Sequence, residues 1–202
     1  MRIPLLSLFM ISWGFANPLY AHQVSIDDLF QDDRVTMIDI QVEEDDWDTI
    51  RYQSRSFEDE LHPRRQFKPI EGPYTYVPAN VTINGVDYGR VAIRKKGFFG
   101  SQNTERPSLK VKLDAFQEDA NIEGHTNLTF NNNNQDRSLM SQFLGYRLFE
   151  KAGVPVPRSG YAQVTVNGKN LGVYTHVETL RKPALRRGFG NDDGTLYEGT
   201  VV

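Results

Sequence analysis

The chain has 202 residues, 39% of them hydrophobic, and a formal charge of -3. That is long enough to bury one core, and the mild acidity argues against bulk nucleic-acid binding, so no nucleic-acid partner is expected. There is no cysteine, which excludes disulfides, zinc–thiolate sites and thiol catalysis.

Arg2 precedes a largely apolar run from Ile3 to Ala16, and small residues follow at Ala16 and Ala21. This order predicts a secretory signal peptide over residues 1–21 and a mature chain from residue 22. The run is too short to favour a permanent membrane helix. The expected protein is exported (secreted, periplasmic or on the cell surface), with no stable membrane insertion after signal cleavage.

Val35 to Val42 alternates in hydrophobicity, which predicts a strand with Ile38, Ile40 and Val42 on one face. Asp45, Asp46 and Asp48 open a short helix, where negative charge favours the N-terminal end. Ser54 to Pro78 is polar and punctuated by Pro63, Pro69, Pro73 and Pro78, so it reads as a loop. Asn84-Gly85 and Asn167-Gly168 each follow alternating apolar residues. Asn-Gly accepts the positive φ angles of a type I′ turn, so both predict hairpins.

Between the hairpins, Leu109, Val111 and Leu113 share one face of a strand, which leaves Lys110 and Lys112 on the other. Asn131 to Asn134 and Asp136 read as a loop leading into a helix. That helix is expected over Ser138 to Ala152, with Leu139, Met140, Phe143, Leu144 and Leu148 as its apolar stripe. Asp136 or Ser138 would cap its start, and Gly153 and Pro155 mark its end. The sequence of elements, strands then one helix then strands, is an α+β pattern.

Two features could carry chemistry. Arg94, Lys95 and Lys96 run into Gly97, with Ser101 close behind, and backbone N–H groups in a glycine turn beside cations can hold phosphate oxygens. Lys110 and Lys112 would add ammonium groups fixed on a strand, as phosphate binding requires. Gln142 is the helix residue placed to meet such a lysine. His22, His62, His125 and His176 show no metal-ligand spacing, and Asn191 to Gly194 reads as a turn.

Several segments together resemble the spore-coat protein H (CotH) kinase family. They are Arg94 to Gly97 with Ser101, Arg106 to Asp114, Leu128 to Asp136, Ala152 to Arg158, and Asn167 to Tyr174 through Glu178. The resemblance implies a secreted or surface-associated atypical protein kinase that uses ATP and a divalent metal (Mg or Mn) to phosphorylate a protein substrate. The fold it implies is a kinase-like small lobe, antiparallel strands plus one main helix, with the start of a large lobe.

Carried over position by position, Lys110 or Lys112 would hold phosphate, Lys96, Gly97 and Ser101 would form the adjoining loop, and Gln142 would be the helix partner. Glu178 would lie near the adenine. The family's catalytic and metal-binding aspartates would lie beyond Val202, so no catalytic residue is assigned to this chain. The sequence then reads as a fragment of a longer kinase or as a truncated relative without activity. The competing expectation is a non-catalytic coat-type binding module that uses Tyr74, Tyr76, Phe98 and Phe99.

Overall fold

The computed structural model describes residues 24–60 and 72–197; the expected signal peptide, His22 and His62 lie outside them. Seven strands form a closed barrel in the order β1-β2-β3-β4-β5-β7-β6. They are β1 (Val35–Gln41), β2 (Val77–Ile83), β3 (Val86–Lys96), β4 (Ser108–Lys112), β5 (Asn127–Asn131), β6 (Ser159–Val166) and β7 (Lys169–Glu178). All neighbours pair antiparallel except β1 and β6, whose parallel pairing closes the ring.

Alternation builds the core. In β1, Ile38 and Ile40 turn inward and are fully buried. Ile40 is flanked by Val81 of β2 and Val166 of β6, which also face inward. Ile93, Leu109, Val111, Leu128 and Phe130 complete the interior from β3, β4 and β5. Both Asn-Gly turns form as expected, with φ of 49° and 82° at Asn84-Gly85 and 49° and 78° at Asn167-Gly168.

Helix α1 (Glu44–Tyr52) stoppers one end of the barrel through Ile50, which is fully buried. The other end is closed by residues 24–30. Phe30 stacks on His176 at 4.5 Å, and Phe130 lies 4.9 Å from the same imidazole. Helix α2 (Phe57–Glu60) is a single turn inside the segment expected to be loop.

The barrel corrects the expected fold class. Among the described residues there is no α+β kinase-like small lobe built around a main helix. Helix α3 (Ser141–Lys151) begins three residues later than predicted and has no buried residue. Met140, Leu144 and Leu148 of its apolar stripe are exposed. The physical reason is closure: a sheet that pairs its first strand with its last buries one face against itself and needs no helix to cover it. Asp136 does set the start of α3, since its carboxylate accepts bonds from the Ser138 hydroxyl at 2.6 Å and the Ser141 N–H at 2.7 Å. These bonds hold its pKa at about 2. Helix α4 (Lys182–Phe189) follows β7.

Candidate anion-binding face

The alternation that sends Leu109 and Val111 inward sends Lys110 and Lys112 outward, and β3 and β5 follow the same rule. Arg94 lies opposite Lys110 in register, and Lys110 lies opposite Thr129. Lys112 sits one row along, opposite Ala92 and Asn127. Arg94, Lys95 and Lys96 are therefore the end of a strand and not a loop. Lys95 points inward, is 1% exposed, and donates to the Arg51 carbonyl at 2.7 Å, capping the C-terminal end of α1. Lys96 points outward.

The Lys96 ammonium donates to the Asn131 Oδ1 at 2.6 Å, and the Asn131 amide in turn donates to the Gln142 Oε1 at 2.8 Å. Burial, then the nearby charges of Lys110 and Arg94, lower the Lys96 pKa to about 8. Among the described residues its bonded partner is an amide, not a carboxylate. The result is a desolvated cation with two more cations beside it. An anion brought within bonding distance of the Lys96 ammonium would offset that desolvation.

Gly97 follows directly, at φ 134°, and a Cβ there would lie 2.4 Å from the Ser101 Oγ. The Ser101 hydroxyl accepts from the Phe98 N–H at 3.0 Å and donates to the Phe98 carbonyl at 3.0 Å, so it closes the turn on itself. The asparagine run does more than form a turn. Asn132, 1% exposed, donates to the Ser101 carbonyl at 3.0 Å and the Arg106 carbonyl at 2.8 Å. Asn133 exchanges bonds with Thr175, and Asn134 donates to the Gly100 carbonyl. Together these bonds tie the glycine turn to the approach of α3.

Of the residues singled out in the sequence, Lys96, Gly97, Lys110 and Gln142 come together here. Gln142 meets the lysine through Asn131, which ends β5 where the sequence predicts a loop. The signal for Asn131 was the alternation of Asn127, Thr129 and Asn131, which places it on the lysine face. Lys112 shares that face one row away. Glu178 turns to the barrel interior, opposite Leu128. Burial opposes its charge, yet bonds from His125 at 3.1 Å, from the Arg158 N–H at 2.9 Å and from Arg187 hold its pKa at about 2.

Beside this node, a cavity of about 370 Å³ opens between Gly124–Asn127 and Thr179–Pro183. Asn127 and Thr179 join it to the lysine face. Asn127 pairs with Lys112, and the Thr179 and Thr129 hydroxyls lie 3.0 Å apart. A larger cleft of about 760 Å³ lies at the β2–β3 turn, but Asp87, Asp119 and Glu123 line it and would repel an anion.

No group of three or more His, Asp or Glu among the described residues could hold a metal ion, so no step is assigned to a divalent ion here. The aromatics do not form one open face. Tyr74 is buried with its hydroxyl donating to the Gly97 carbonyl at 2.9 Å, and Phe99 stacks on Phe57 at 3.7 Å. Among the described residues no helix is long and apolar enough to cross a membrane.

Fold and site together define a small closed β-barrel domain with a desolvated cationic outer face. Residues 93–200, more than half of the chain, match the family described as CotH kinase protein, and the chain belongs to that family. A curated relative, the "Inner spore coat protein H-like protein" of Bacillus subtilis (strain 168), is 29% identical over 102 residues. That match covers 47% of this chain and 33% of the relative, so it spans about a third of the relative's length.

Proposed function

We propose that the outer face of β3, β4 and β5 holds the polyphosphate of ATP in a protein kinase of the CotH family that phosphorylates a protein substrate. The observation that carries this reading is the Lys96 ammonium, desolvated beside Lys110 and Arg94 and bonded to an amide. The cavity at Thr179–Pro183 is a fitting place for the base. Asn131 lies four positions along β5 from Asn127, about 14 Å of strand, which suits an extended nucleoside triphosphate lying across the face. Bound ATP supplies a transferable phosphoryl group. The chain's own residues bind and orient its phosphates, and a divalent metal would need ligands other than those described. The relative's name supports association with a coat or cell surface.

The test is calorimetric titration of the full chain with ATP, with Lys96→Met and with Lys110→Ala. Affinity should fall at least tenfold in each variant, and pyrophosphate should compete. Unchanged ATP affinity in folded variants would overturn the assignment. Competition by adenosine but not by pyrophosphate would move the site off the lysine face.

A further inference from the structure

The hydrogen bonds around Lys96 form a directed relay. An asparagine amide has one acceptor end and one donor end. At Asn131 the acceptor end takes the Lys96 ammonium and the donor end reaches Gln142 on α3, so the amide's orientation is fixed by both partners at once. Gln142 lies in the first turn of a helix without a buried residue, which rests on the barrel wall through Phe143 against Tyr161 at 5.2 Å and not through the core. Charged groups from the packed strands also face Lys96: Arg94 on its own strand and Lys110 on β4.

We infer that Asn131 is the positioning residue for Lys96, and that through Gln142 it makes the placement of this lysine depend on the placement of α3. A displacement of α3 withdraws the Gln142 acceptor, lets the Asn131 amide turn, and releases the ammonium from its fixed direction. The cationic face is then set by the helix as well as by the sheet. The inference rests on the proposed phosphate-binding role for its consequence, but its geometry is testable without any nucleotide.

The experiment is nitrogen-detected NMR of the Lys96 side chain in the full chain, as a function of pH and without ligand. In the native protein the ammonium protons should exchange slowly. Asn131→Ala should speed their exchange at least tenfold. Gln142→Ala should do so by a smaller but clear factor, and Gln142→Glu, which keeps an acceptor for the Asn131 amide, should restore slow exchange. Asn131→Asp places a carboxylate on the ammonium and should raise its titration midpoint by more than one pH unit. Unchanged exchange in Asn131→Ala, or an effect of Asn131→Ala with none from Gln142→Ala, would overturn the relay. Intact relay behaviour in a protein that fails to bind ATP would leave the relay standing and sink the phosphate assignment.

Discussion

Lys95 and Lys96 are adjacent in the chain, yet one caps a helix inside the barrel and the other faces outward into a cationic cluster. The pKa of Lys96 falls from 10.5 to about 8, so between those values the unfolded chain holds more protons than the native one. Stability attributable to Lys96 therefore rises with pH across that window. Lys96→Met should stabilise the protein at pH 7 by about 1–2 kcal/mol, a gain that shrinks as pH approaches 10. Thermal melts at several pH values check this, and a destabilised Lys96→Met at pH 7 would mark the ammonium as structural. Acid acts through other residues. Burial lowers the His176 pKa from 6.5 to about 4, and the Glu178 pKa is lowered from 4.5 to about 2. In both cases the unfolded chain binds more protons inside the window, so stability falls from pH 6.5 downward. His176→Phe should flatten the limb between pH 6.5 and 4 in a denaturant series and leave the steeper fall below pH 4.5 in place.

At the scale of elements, the asparagine run and α3 behave in ways their sequences do not announce. Asn132→Ala removes two bonds donated by a buried side chain to part-buried carbonyls, which should cost about 1–3 kcal/mol. By contrast Leu148→Ala, at a residue of α3 that is 69% exposed, should change stability by less than about 0.5 kcal/mol. Urea denaturation of the two variants separates these outcomes, and a large loss from Leu148→Ala would mean that α3 carries core packing after all. The apolar stripe of α3 was legible as a period. What it packs against was not, because periodicity reports which residues share a face and says nothing of what that face meets. The hairpins were legible in full because Asn-Gly fixes its own backbone conformation locally.

For the whole molecule the decisive contact is the parallel pairing of β1 with β6, from Val35↔Tyr161 to Ile40↔Val166. Ile40→Ala should cost about 3–4 kcal/mol, since the side chain is fully buried where three strands meet. The family match begins at residue 93, so β1, β2 and most of β3 precede it. A chain starting at residue 93 would expose an edge of β4 and an edge of β6, and should lack the dispersed NMR spectrum of a folded protein. A cooperative fold in that fragment would refute the need for closure. The sequence by itself determined the strands over Val35 to Val42 and Leu109 to Leu113, both Asn-Gly hairpins, and the side of the sheet on which Lys110 and Lys112 stand; the family it showed by resemblance. The strands, the hairpins and the lysine face follow from local backbone preference or from a period of two. Only the tertiary structure decided that the sheet closes into a barrel, that Lys95 turns in while Lys96 turns out, and that Asn131 joins Lys96 to Gln142. Those outcomes depend on register between segments far apart in the chain, which no local pattern encodes.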